Sequence, residues 1–145
     1  MKVAIACDHA ALELKNAVKK HLTDRGFEVV DFGINEPGSV DYPDYALPVA
    51  EAVAGGKADK GILICGTGIG MSICANKVKG IRCALCSDTF SARATREHND
   101  ANVLALGAGI TGPNLAKRMV EIFLSTEFEG GRHARRVALV DSIQP

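Results

Sequence analysis

Residues 60–72 read KGILICGTGIGMS. A six-residue strand candidate, Lys60 and five apolar residues, ends in Cys65, glycines follow at 66, 68 and 70, and an amphipathic stretch predicts a helix over 69–77. A strand, a tight turn and a helix in that order form half of a strand–helix–strand unit, and the rest of the chain repeats the pattern. KVAIAC (2–7), FEVVDF (27–32), IRCALC (81–86) and ANVLAL (101–106) are further strand candidates, apolar enough to be covered on both faces. Helices are predicted over 11–24, 45–54, 89–97 and 113–125. In the first of these Leu12, Val18 and Leu22 form an apolar stripe and Gly26 is a stop signal.

Five strand–helix pairs imply an α/β fold of three layers, a parallel sheet with helices on both faces joined by right-handed crossovers. For five strands the expected order is 2-1-3-4-5. The winding then reverses between strands 1 and 3, and a ligand crevice opens at their carboxyl ends. The sequence places Cys7-Asp8-His9 at one of those ends and Cys65-Gly66-Thr67-Gly68 at the other. The Pro- and Gly-containing loop GINEPGSVDYPD (33–44) is long enough to overhang the crevice. At 145 residues, with no internal repeat or linker, the chain is expected to be one domain, 1–145.

Composition excludes several function classes. Seventeen Lys and Arg balance seventeen Asp and Glu, so no net field attracts nucleic acid or an anionic membrane. No apolar run approaches a membrane span or a signal-peptide core, and a soluble, cytoplasmic protein is expected. Five cysteines, an odd number, read as reduced thiols rather than a disulfide framework. Cys83 and Cys86 lie three apart in a strand candidate and therefore face opposite ways, with no further ligands for zinc nearby; both are expected in the core.

The glycine turn invites three specific readings, and each fails at a residue its chemistry needs. A dinucleotide fingerprint requires Gly-x-Gly-x-x-Gly, but the third glycine arrives one residue early, although Asp88 after strand 4 resembles the ribose-binding acid. A nucleotide-triphosphate loop would end in Gly-Lys-Ser/Thr, which is absent. A cysteine phosphatase loop would need arginine where Met71 stands. What survives is a turn whose backbone N–H groups can face an anion or a developing oxyanion, with Cys65 placed to act as nucleophile or general base.

Asp8 can cap the helix that follows, and His9 stands where an imidazole can hold an anion or move a proton. His98, in TREHNDANV, has Asn99 and Asp100 as orienting partners, although a histidine at a helix C-terminus is also favoured by the helix dipole. His21, within the first helix, reads as surface. In GGRHARR, Arg132 and Arg136 are four apart, so on a helix they share a face and can clamp a phosphate. A solvated basic turn is the plainer alternative.

Taken together, Cys7-Asp8-His9, DYPDYA (41–46), GILICGTGIGMSICANKVKGIR (61–82), REHNDANVLALG (96–107) and EGGRHARRV (129–137) resemble the B-type ribose-5-phosphate isomerases. That family also contains galactose-6-phosphate isomerase subunits. The resemblance runs from about Lys2 to Val137. It implies a Rossmann-like αβα domain, no metal or organic cofactor, and a homodimer, able to pair into a tetramer, whose active sites draw on both chains. The segment from about residue 130 would then pack on the partner.

Carried over by position, the resemblance makes Cys65 the base that moves a proton between C2 and C1. Gly66, Gly68, Ile69 and Gly70 would offer backbone N–H groups to the enediolate, and Thr67 would move the hydroxyl proton. His98 would open the sugar ring with help from Asp8. His9, Arg132 and Arg136 would hold the phosphate, and Tyr42 and Asn99 the sugar. Some relatives carry serine at the position of Cys65 and a glutamate four residues later; here that residue is Ile69, which leaves Cys65 as the base candidate in the turn. Many carry arginine where Gly109 stands. Its absence leaves a six-carbon substrate, allose 6-phosphate or galactose 6-phosphate, as the alternative to ribose 5-phosphate. A non-catalytic sugar-phosphate-binding protein is the alternative from another class, against which the intact Cys65, Thr67 and His98 speak.

Overall fold

The computed structural model describes residues 1–143. The elements run β1 (Lys2–Cys7), α1 (Leu12–Asp24), β2 (Glu28–Asp31), α2 (Pro43–Ala54), β3 (Lys60–Cys65), α3 (Ile69–Ala75), β4 (Cys83–Leu85), α4 (Thr89–Asn99), β5 (Val103–Gly107), α5 (Pro113–Ser125) and α6 (Arg132–Asp141). All strand pairings are parallel, as continuous apolar strands separated by helices require.

Alternation along the strands divides the core in two. Val3, Ile5 and Cys7 of β1 and Ile62 and Ile64 of β3 face α1 and α5, where they meet Val18, Leu22 and Phe123. Ala4, Ala6, Leu63 and Cys65 face the other way, onto Val49 and Ala50 of α2 and Met71 of α3. Fully buried side chains such as Leu22 and Phe123 contribute about 1.5–3 kcal/mol each. Because the pleat alternates, Cys7 and Cys65 end neighbouring strands yet lie on opposite faces of the sheet.

The strand order is β2-β1-β3-β5-β4, which corrects the expected 2-1-3-4-5. The reason is burial. Every residue of β5 is buried, whereas β4 is three residues long, half-buried, and ends in the exposed Leu85. The more completely apolar strand takes the interior and the shorter one the edge. Since β4 to β5 runs back toward the centre, α4 packs beside α5 rather than beside α3. The reversal at β1 and β3 is unaffected, so the carboxyl ends of these two strands lie side by side as expected.

Candidate functional site

At the carboxyl ends of β1 and β3 the chain builds a compact cradle. Cys65 is buried, and its Sγ accepts a hydrogen bond from the Gly68 N–H at 3.1 Å. Gly68 has φ +80° and begins α3; a Cβ there would meet the Leu106 carbonyl carbon at 2.9 Å, so the turn can close over the thiol only with glycine at this position. The exposed Thr67 accepts the Ile69 N–H on its Oγ1 at 3.2 Å. The turn is fastened from below, where Ala108 N–H donates to the Cys65 carbonyl at 2.8 Å and Gly109 N–H to that of Gly66 at 2.9 Å.

Asp8 and His9 stand opposite. Asp8 is buried and its Oδ1 accepts the Ala10 N–H at 2.9 Å, so its carboxylate organises the turn into α1, close to the capping role expected of it. His9 is exposed, and its Nδ1 accepts the Val40 N–H at 3.1 Å. That bond places the ring proton on Nε2 of the neutral imidazole, the nitrogen left free to meet a ligand. The loop from Gly33 crosses the crevice as expected and delivers Tyr42 against Gly70.

A residue that sequence reasoning missed anchors this loop. Lys15 of α1 has no exposed surface, and its Nζ donates to both carboxylate oxygens of Asp31 (3.0 and 2.8 Å), to Asn35 Oδ1 (2.8 Å) and to the Ile34 carbonyl. Asp31 also receives Lys19 Nζ at 3.0 Å and the Gly33 N–H at 2.8 Å. Burial alone would raise the Asp31 carboxyl, but the bonds from Lys15, Gly33 and Lys19 outweigh it and hold it below the usual carboxylate range. A lysine in an amphipathic helix normally reads as solvent-facing; the one signal available was its place on the apolar side, between Leu14 and Val18. His21 is likewise not free surface, because its Nε2 lies 2.8 Å from Glu121 Oε1 of α5.

The remaining predicted site residues lie elsewhere. His98 and Asn99 end α4, and Arg132 and Arg136 are on α6. Helices of such a fold run opposite to the strands, so the end of α4 sits at the amino edge of the sheet. In register, Gly61 pairs with Val103 and Cys65 with Gly107. Those four residues alone separate the two edges by on the order of 13 Å. Within one chain the cradle therefore does not meet His98, Asn99, Arg132 or Arg136.

At this second edge His98 and His133 stack, with ring centroids 4.5 Å apart, and Glu129 Oε1 lies 3.6 Å from His98 Nε2 and 3.5 Å from His133 Nε2. Burial first, then the charge of Arg132, keep the His133 imidazole below the usual histidine range. Arg82, also missed from the sequence, ties the region together. Its Nη1 donates to both Asp141 oxygens at 3.0 Å, and its Nε to the carbonyls of Asn99 and Asp100 at 3.2 and 3.1 Å. A cleft of about 740 Å³ runs between these groups, lined among others by Ile81, His98, Arg136, Val137 and Val140.

Burial pushes the Cys83 thiol up to about 12 and Cys86 up to about 11; Cys86 is a core residue as expected, whereas Cys83 is only half-buried, packed against the edge of the opposite core. Among the described residues no helix is long and apolar enough to cross a membrane.

The chain matches a family described as ribose/galactose isomerase over residues 3–140. It is 50% identical to ribose-5-phosphate isomerase B of Escherichia coli, over 99% of this chain and 96% of that protein. To D-erythrulose-4-phosphate isomerase of Pectobacterium atrosepticum it is 48% identical, over 94% and 91%. The solved structure of ribose-5-phosphate isomerase B from Clostridium thermocellum superposes with a TM-score of 0.98 at 53% identity, covering 99% of this chain and 97% of that one.

Proposed function

This chain belongs to the ribose/galactose isomerase family and is a sugar-phosphate isomerase, and we propose that it interconverts D-ribose 5-phosphate and D-ribulose 5-phosphate with Cys65 as the base. The observation that carries the proposal is the Cys65 cradle, a buried thiol at a strand end, hydrogen-bonded by Gly68 and flanked by a turn of backbone N–H groups. In the open-chain aldose the Cys65 thiolate takes the proton from C2 and the C1 carbonyl receives the electron pair, giving a cis-enediolate. Backbone N–H groups of the turn from Gly66 to Gly70 stabilise the developing oxyanion. Thr67 moves the proton between O1 and O2, and Cys65 returns its proton to C1 to give the ketose. His9 and Tyr42, at the rim, hold phosphate and sugar. No metal or organic cofactor has a part in these steps.

Ring opening needs His98, and phosphate binding uses Arg132 and Arg136, none of which reaches the cradle of its own chain. We infer a homodimer in which the amino-edge residues of one copy complete the cradle of the other. Exposed apolar side chains stand on both pieces, Ile69, Ile73 and Leu85 beside the cradle and Leu139 and Val140 on α6, and a second copy would cover them. The reaction takes place among soluble metabolites, which suits a cytoplasmic enzyme.

One observation favours a second reading. At Gly109 the backbone packs on the Gly66 carbonyl with no side chain to grip a phosphate, so the distance from cradle to phosphate is less strictly set. A sugar phosphate of different length, six-carbon or, as in the name of the Pectobacterium relative, four-carbon, then competes as substrate. Comparing kcat/KM for four-, five- and six-carbon aldose phosphates on the purified protein tests both. The highest value for ribose 5-phosphate supports the proposal, and a higher one for another length replaces it.

A further inference from the structure

We propose that His98, Glu129 and His133 form a binding site for a zinc-class divalent cation, through which the ion reversibly blocks turnover. The three side chains come from the end of α4, the loop after α5 and the first turn of α6. Their ligand atoms all lie within 4.8 Å of one another. Zinc bonds of 2.0–2.1 Å in tetrahedral geometry set ligand atoms about 3.4 Å apart. The two separations that involve Glu129 Oε1, 3.6 Å to His98 Nε2 and 3.5 Å to His133 Nε2, are already close to that value. The remaining gap closes by rotation of His98, whose side chain is 45% exposed.

His133 supplies an independent indication. It is 8% exposed, and its Nε2 is buried without a hydrogen-bond partner. A buried polar atom is ordinarily satisfied, and here the Glu129 carboxylate stands 3.5 Å away without forming a hydrogen bond, while Arg132 and Arg136 add only positive charge nearby. An ion between the three groups would satisfy it. Two imidazoles and one carboxylate suit zinc, cobalt or nickel rather than magnesium or calcium, which prefer all-oxygen shells. The cleft beside the rings admits the water that completes the coordination. Glu129 is the one anion of the set, and Arg132 and Arg136 are on the helix that carries His133, so binding depends on the Glu129 carboxylate.

The site rests on its own geometry; its effect on turnover rests on the role proposed above for His98. With Nε2 of His98 bonded to the metal, the ring can no longer pass a proton to the sugar.

Titration of the full-length protein with Zn²⁺, and with Co²⁺ as a spectroscopic probe, tests both parts. One ion per chain is expected, with Co²⁺ d–d bands and no thiolate charge-transfer band. Glu129→Gln and His133→Gln, each checked for unchanged circular dichroism, should weaken binding at least about tenfold, while Cys65→Ala should bind as the parent does. Undiminished binding by Glu129→Gln, a thiolate charge-transfer band, or no binding at micromolar ion would each overturn the site. Zn²⁺ bound at full turnover would uphold the site and overturn both the blocking effect and the role given to His98.

Discussion

The ring of Tyr42 lies against the backbone of Gly70, so close that a Cβ on Gly70 would come within 2.7 Å of Tyr42 Cε1. The loop that crosses the crevice and the turn that holds Cys65 are therefore fitted to each other at one point. In Gly70→Ala the flexible ring gives way and the backbone of the turn stays. The expected outcome is a KM raised about tenfold or more through misplacement of the sugar, with thermal stability nearly unchanged. Steady-state kinetics with a melting curve checks it.

Gly68→Ala should behave differently. The Leu85 side chain at 2.6 Å can move aside, but the φ of +80° and the Leu106 backbone at 2.9 Å cannot be relieved that way. The strain costs about 1–3 kcal/mol and displaces the N–H that faces Cys65 Sγ. A loss in kcat together with a lowered urea midpoint is the expected pair of results.

Lys15→Met leaves Asp31 buried with only Lys19 and the Gly33 N–H as partners. Breaking a buried pair in this way costs about 3 kcal/mol. It should also free the loop from Gly33 to Tyr42, visible as faster amide exchange confined to that loop.

The same pair makes stability depend on acid. The Asp31 carboxyl is held lower in the folded than in the unfolded chain. Its contribution is thus complete above the ordinary carboxylate value of about 4 and is lost as pH falls through and below it. Urea midpoints measured from neutral pH downward should fall more steeply for the parent than for Asp31→Asn.

Much of this was legible in the sequence, and what was not has physical causes. β3 and α5 begin and end as predicted, because an unbroken apolar run and a Pro-initiated amphipathic stretch each have one solution. The cradle of Asp8, His9, Cys65 and the glycine turn follows from winding alone, since strand ends at a reversal must meet. The order of β4 and β5 does not, because it depends on which strand is buried on both faces. Lys15 escaped notice because burial of a charge depends on a partner, Asp31, that only tertiary structure brings near. The separation of His98 from Cys65 was available from helix direction, but the stacking of His98 on His133 over Glu129 joins three elements that no local pattern links.

A site shared between two copies makes a prediction that a single-chain site does not. Cys65→Ala and His98→Asn should each be inactive on the cyclic sugar. Mixed and allowed to exchange subunits, they should regain about a quarter of parent activity, because half of the dimers carry one intact site of two. No recovery on mixing, with exchange verified by mass spectrometry, would contradict a site completed by the partner chain.

The role of Cys65 is tested most directly by following the deuterium of ribose 5-phosphate labelled at C2. The parent enzyme should wash the label into water or carry it to C1, and Cys65→Ala, folded and still binding the sugar phosphate, should leave it at C2. Exchange at an undiminished rate in Cys65→Ala would contradict the assignment of Cys65 as the base.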